Sequence, residues 1–251
     1  MVTPATVFAW CKQVADALDD CLFPPHCILS GKPLSENDIH VARIPGILNS
    51  ALDAVLAAPN SIELLSLIEK HSTSDAVFIS QVSSLWRLDV ESDIDKAIYE
   101  IKYRGRVQLA KNLGHELGIY LREYVYSRTE LSEMLIQPVP IHSARLRERG
   151  YNQALHISAG VAKGLGLAPE RVVSLLRRTK YTGTQTALSE KQRIENVGGV
   201  FEGVNAATIL GKHVLVIDDV LTTGSTLNAC ATALVESGAS RADAATLCMA
   251  I

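Results

Sequence analysis

The chain has 251 residues, 47% apolar and 20% charged, with five cysteines and a net charge of −3. That composition is ordinary for a well-cored globular protein of one large or two small domains. It speaks against a membrane span, because no apolar run approaches spanning length, and against a disulfide framework, because the cysteine count is odd and no Cys-x-x-Cys occurs. Met1 to Lys12 has no basic region ahead of an apolar core, so no signal peptide is evident and a cytoplasmic location is the expectation. Charge is unevenly spread. Residues 1–98 hold 6 Lys/Arg against 13 Asp/Glu, whereas residues 99–251 hold 18 against 14. A basic C-terminal part suits a polyanionic ligand.

In chain order, Val7, Trp10, Cys11, Val14 and Leu18 recur at helical spacing and predict a helix over 3–20. Pro24-Pro25 ends it, and 28–35 continues as loop. Further helices are expected near 44–57 and 61–70, and a short strand at Ala76–Val82. Composition and charge shift near residue 90, which divides a mainly helical N-terminal region, 1–90, from a second domain, 91–251. Ser92 is placed to cap a helix that runs through Ile94, Ala97, Ile98 and Ile101, pauses at Gly105, and resumes through Leu109, Leu113, Leu117 and Leu121. The pause holds a basic knot, Lys102-Tyr103-Arg104-Gly105-Arg106, which reads as a solvated helix end or as a phosphate contact.

From there strands and helices alternate. Strands are expected at 135–141, 171–176, 199–203, 213–218 and 242–249, and helices at 152–165, 189–196 and 226–237. A basic loop fills 142–150 and a polar, Thr-rich loop fills 178–190. This order predicts an α/β fold: a doubly wound, mostly parallel five-stranded sheet that binds ligands at the carboxyl ends of its strands.

One stretch concentrates the chemistry. Val214-Leu215-Val216-Ile217 is an apolar strand, and Asp218-Asp219 follow. Thr222-Thr223-Gly224-Ser225-Thr226 then makes a hydroxyl-rich turn into a helix. Backbone N–H groups at such a turn and the helix dipole favour a phosphate. The acids suit sugar hydroxyls or magnesium.

This stretch resembles the phosphoribosyl-diphosphate (PRPP) signature of type I phosphoribosyltransferases. Ile101–Arg106, Pro138–Ile141, Arg149–Gln153, Arg178, Gln185, Arg193 and Asn196 are similar to landmarks of one branch, the ComF family, over residues 95–251. The resemblance implies that Asp218 and Asp219 hold the ribose hydroxyls, with Mg2+ as cofactor bound to them directly or through water. Thr222, Thr223, Gly224, Ser225 and Thr226 would cradle the 5′-phosphate. Arg145, Arg147 and Arg149 would hold pyrophosphate through bidentate forks. The 178–193 loop resembles a lid that excludes water, and its Lys180 stands with Asp218 and Asp219 as a candidate catalytic residue. The implied reaction is displacement at the anomeric carbon by a nitrogen nucleophile, with pyrophosphate leaving.

Two departures limit the resemblance. ComF relatives often carry a small zinc unit on paired Cys-x-x-Cys motifs, but Ser30 stands where the second cysteine belongs and no cysteine lies between 28 and 229. Cys21, His26, Cys27 and His40 have irregular spacing, so no zinc is expected. No base-recognition constellation is legible in 1–90, so the acceptor is unassigned. The alternative reading is a non-catalytic module in competence and DNA uptake that senses PRPP or grips single-stranded DNA. Tyr103, Tyr151 and Tyr181 beside basic loops keep that option, although aromatic content is only 5%. Expected partners are PRPP, an acceptor and, in the alternative, single-stranded DNA, with a homodimer as a further option.

Overall fold

The computed structural model describes residues 61–71, 76–88, 93–179 and 200–250. All lie in the second of the two units into which the chain divides, Leu52–Ile251. The elements in order are α1 (Ser61–His71), β1 (Gln81–Leu88), α2 (Asp93–Tyr103), α3 (Val107–Tyr124), α4 (Arg128–Glu133), β2 (Met134–Pro138), α5 (Ser143–Arg149) and α6 (Gln153–Leu165). After a 3-10 turn (Pro169–Arg171) come β3 (Leu176–Arg178), β4 (Phe201–Gly203), α7 (Ala206–Ile209), β5 (His213–Leu221), α8 (Ser225–Glu236) and β6 (Arg241–Ala250). The expected helix at 44–57, the Ser92 cap and the short helix at 189–196 lie outside the described residues.

The fold is mixed α/β, with a parallel sheet in the order β1-β6-β5-β2. The expected mostly parallel five-stranded sheet is corrected, among the described residues, to four parallel strands plus an antiparallel ribbon of β3 and β4. Two side-chain arrangements explain the difference. The expected strand 171–176 does not join the parallel sheet: only Val172 bridges to Ile136, Val173 N–H donates to the Ile136 carbonyl at 2.9 Å, and Leu176 begins β3 of the ribbon. The next two donors, Leu175 N–H and Leu176 N–H, go to the buried Gln137 side-chain oxygen at 2.5 and 3.2 Å. A side chain thus satisfies the backbone where a main-chain ladder would otherwise run.

The fourth strand comes from 81–88, not 76–82. Ser83 and Ser84 interrupt its apolar pattern, yet both are buried. Thr246 Oγ1 donates to Ser84 Oγ at 3.2 Å, so the polar pair is satisfied between β1 and β6.

β5 and β6 are buried on both faces, as befits inner parallel strands. Val214 and Val216 join Leu227, Ala231 and Leu234 of α8 and Leu64 and Ile68 of α1 in one cluster. By alternation Leu215 and Ile217 point the other way, toward the layer of α3 and α6. Those two helices approach unusually closely. An added Cβ on Gly114, Gly118, Gly160 or Gly164 would lie 2.0–2.4 Å from a carbonyl oxygen of the facing helix.

The amino ends of the strands carry a buried polar network. Asp243 accepts from His213 Nε2 at 2.8 Å and from Tyr126 Oη at 3.0 Å, and Arg241 Nε donates to its other oxygen at 3.0 Å. The Tyr126 hydroxyl pKa is driven well above its usual value by burial and by the Asp243 charge. Tyr126→Phe should therefore cost about 1.5–3 kcal/mol, the worth of a hydrogen bond to a charged acceptor, as read by urea unfolding. This network seals the end of the sheet opposite the strand tips.

Candidate functional site

All four parallel strands of the described residues send their carboxyl ends to one edge, and a mostly polar cavity opens there. It holds about 450 Å³ and is lined by Leu88 and Ala250 at strand ends, by residues 218–227, by Arg145, and by Asp95, Ile98, Tyr99, Lys102 and Tyr103 of α2. β5 runs on through the acids to Leu221, so Asp218 and Asp219 sit within the strand rather than after it.

The turn after β5 is built for close approach. Gly224 caps α8 in the left-handed conformation, φ 73°. A Cβ there would fall 2.3 Å from Ile68 Cγ1, so α1 packs directly beneath the turn. Thr222, Thr223, Ser225 and Thr226 are exposed around it. Thr223 Oγ1 and Ser225 Oγ share a hydrogen bond of 3.0 Å, and Ser225 N–H points to Thr223 Oγ1 at 3.4 Å. The five residues expected to cradle a phosphate are thus contiguous on the cavity wall. Asn228 fixes the neighbouring chain: its side-chain oxygen accepts from Phe78 N–H at 2.9 Å and its amide donates to the Ala76 carbonyl at 3.2 Å.

The two acids differ in their surroundings. Asp219 is 5% exposed. Its Oδ1 lies 3.4 Å from Lys102 Nζ, and its Oδ2 accepts from Gln153 Nε2 at 3.1 Å. Asp218 is half-buried and takes one hydrogen bond, from Asp219 N–H, at 2.9 Å. Desolvation and the Asp219 charge push the Asp218 carboxyl up to about 7, against the pull of that N–H, Lys102 and Arg149. Between its usual value and about 7 the folded chain holds a proton that the unfolded chain has lost. Metal-free stability should therefore fall as pH rises toward 7 and level off above it. Urea unfolding from pH 5 to 8 checks this, and Asp218→Asn should flatten the slope.

The residues expected to form a basic loop at 142–150 form the seven-residue helix α5. His142 Nδ1 accepts from Ala144 N–H at 3.1 Å to start it, and Gly150, at φ 78°, closes it. The helix separates the three arginines. Arg145 and Arg149 stand one turn apart on one face, and Arg147 lies on another. Arg145 lines the cavity, and the Arg149 guanidinium sits 5.4 Å from the centre of the Tyr103 ring. Desolvation, then the charges of Arg178, Arg147 and Arg145, lower the His142 pKa. Burial and Arg145 lower that of Arg178, with Asp218 opposing. The edge is therefore a cationic field around one half-buried carboxylate.

Of the expected lid only Arg178, the last residue of β3, and Thr179 are described; Lys180 to Arg193 and the four residues considered for zinc lie outside the described residues. Among the described residues no group of three or more His, Cys, Asp or Glu is placed to hold a metal, and no helix is long and apolar enough to cross a membrane. A magnesium ion that rides on substrate phosphates needs only one or two carboxylates. Asp218, open to the cavity, fits that need; Asp219 has both oxygens engaged. Lys102 was legible as part of a basic knot and Gln153 as part of a motif. Their shared contact with Asp219 had no sequence signal, because 117 and 66 residues separate the partners.

A family described as the phosphoribosyl transferase domain matches residues 152–250. The chain is 32% identical over 133 residues to competence protein F of Haemophilus influenzae, covering 52% of this chain and 57% of that protein. It is 29% identical over 163 residues to the DNA utilization protein YhgH of Salmonella typhimurium, covering 64% and 69%. The Escherichia coli K12 protein of that name is 28% identical over the same shares. Among solved structures, the allosteric regulatory enzyme of purine biosynthesis aligns at 20% identity with a TM-score of 0.38. Glutamine PRPP amidotransferase from B. subtilis aligns at 21% with a TM-score of 0.39; each alignment covers 58% of this chain and 29% of the other.

Proposed function

We propose, for a chain that belongs at moderate identity and coverage to the ComF/DNA-utilization family of type I phosphoribosyltransferase-like proteins, that it binds PRPP with Mg2+ and transfers the phosphoribosyl group to a nitrogen acceptor. The observation that carries this reading is one cavity that joins a half-buried carboxylate, Asp218, to the Gly224 phosphate turn and to Arg145. The turn's N–H groups and hydroxyls would take the 5′-phosphate, and Asp218 the ribose hydroxyls. Arg145 and Arg149 would draw the pyrophosphate oxygens.

In the transfer, the acceptor's nitrogen lone pair forms the bond to the anomeric carbon as the bond from that carbon to the pyrophosphate oxygen breaks. Pyrophosphate departs with the bonding pair, and the acceptor nitrogen sheds its proton to solvent. Magnesium, held at Asp218 directly or through water, would offset phosphate charge. The protein's own share is orientation and fixed positive charge rather than proton transfer. Lys180 and the 178–193 lid are assigned to water exclusion on the resemblance alone.

Calorimetric titration with PRPP and magnesium tests the reading. The Asp218→Asn/Asp219→Asn double variant should bind about 100-fold more weakly, the worth of two or so charge-assisted hydrogen bonds. Unchanged affinity would reject the site. Pyrophosphate release on adding candidate bases then distinguishes an enzyme from a PRPP sensor.

The second reading, a single-stranded DNA module, is favoured by one feature. Tyr99 and Tyr103, both exposed, pair at 5.0 Å on the cavity rim, with Arg149 against Tyr103. Exposed rings beside cations suit stacked bases. Oligonucleotide binding that weakens steeply with salt and with Tyr103→Ala would support it.

A further inference from the structure

A second cavity, of about 540 Å³, opens beside the first, and the two adjoin along Thr222 and Ala250. Its size and its lining are those of a small-molecule site, an apolar floor with a few charged groups at fixed places. Leu67 and Met249 supply the floor. Glu63, Leu67 and Lys70 follow one another at helical spacing, so one face of α1 makes the wall while Leu64 and Ile68 turn into the core. The rim is net positive. Arg87 spends one terminal nitrogen on Glu63, at 3.0 Å from each carboxylate oxygen, and its other donors have no partner among the described residues. Lys70 is exposed and pairs with no acid among the described residues.

The displacement itself restricts where an acceptor can stand. A lone pair that expels pyrophosphate must approach the anomeric carbon from the side opposite the breaking bond. The arginines assigned to pyrophosphate follow β2, and the phosphate turn follows β5. In the order β1-β6-β5-β2, the side away from β2 is that of β6 and β1. The second cavity lies there: Met249 and Ala250 end β6, and Arg87 stands one residue before the end of β1.

We infer, on the PRPP reading above, that this cavity holds the acceptor and that the acceptor is a nitrogen heterocycle bearing a carboxylate. The ring rests on Leu67 and Met249. The carboxylate meets Lys70 and the unused donors of Arg87. The reacting nitrogen looks across Thr222 and Ala250 toward the donor. A carboxylate beside a polyanionic donor is repelled unless cations accompany it, and Lys70 and Arg87 are those cations.

Two matched pairs of compounds test the assignment: orotate against uracil, and nicotinate against nicotinamide. The second member of each pair lacks the carboxylate. Calorimetric titrations are run with ribose 5-phosphate and magnesium present, so that the donor site is offered a ligand and no transfer can occur. At least one acid should bind about fivefold more tightly than its neutral partner, the worth of one partly exposed ion pair. Lys70→Glu should erase that preference and Lys70→Arg should keep it. With PRPP in place of ribose 5-phosphate, the preferred acid should release pyrophosphate faster than its neutral partner.

No preference in either pair, a preference that survives Lys70→Glu, or release no faster with the acid overturns the assignment. PRPP titration keeps this result apart from the reading beneath it. If the parent binds PRPP and the Asp218→Asn/Asp219→Asn variant does not, such a result removes only the acceptor pocket. If that variant binds PRPP like the parent, the donor site itself is wrong.

Discussion

Gly160→Ala is expected to cost about 3 kcal/mol or more in folding stability, at the upper end for overpacking, because neither clashing partner can move alone. The new methyl carbon would lie 2.0 Å from the Lys111 carbonyl oxygen, and the facing Gly114 stands 2.2 Å from the Ile157 carbonyl by the same test. Both obstacles are backbone, held in the ladders of α3 and α6, so relief requires the helices to part. Parting them would disturb the layer that covers Leu215 and Ile217 behind the acids. Gly166→Ala is the control. It adds the same methyl at φ 75° with nothing within 4 Å, and should cost only the left-handed penalty, about 1–2 kcal/mol. Urea unfolding of the two variants gives the comparison; equal losses would mean that the close approach of α3 and α6 does not constrain the fold.

Gly224→Ala is expected to weaken PRPP binding more than tenfold and to lower stability by about 2 kcal/mol, the order of a strained non-glycine residue at positive φ. The position has φ 73°, and the added carbon meets Ile68 Cγ1 at 2.3 Å. Either the turn rises into the phosphate position or Ile68 gives way beneath it. Ile68→Ala, which removes the clashing Cγ1, should cost less stability in the Gly224→Ala chain than in the parent, while binding stays weak, since the backbone conformation still disfavours a side chain. Binding that survives intact while stability falls would place the phosphate elsewhere.

The strand–turn–helix stretch around Asp218 and Asp219 was legible because its physics is local. Val214 to Ile217 reads as a buried strand, Gly224 as a point of close backbone approach, and the hydroxyls around it as turn chemistry, all within thirteen consecutive residues. The helix at 152–165 was legible for the same reason, with Asn152 capping its start and Gly166 closing its end. The edge strand β1 was not, because its buried Ser84 takes a hydrogen bond from Thr246 across the sheet, 162 residues away. Nor was the loss of the strand at 171–176, which turns on the Gln137 side chain taking two backbone donors 38 and 39 residues away. Reading 142–150 as loop overlooked that His142 and Gly150 together cap a helix too short to show apolar periodicity.

The sequence by itself determined the class of fold and the order of strand, acids, turn and helix, because each rests on spacing along the chain. Tertiary structure decided what spacing does not encode. It showed which strands pair, that Ile68 packs beneath the Gly224 turn from a helix far upstream, and that Lys102 and Gln153 converge on Asp219. Adjacent acids look equivalent in a sequence. They become different when partners far along the chain, Lys102 and Gln153, reach one of them and not the other.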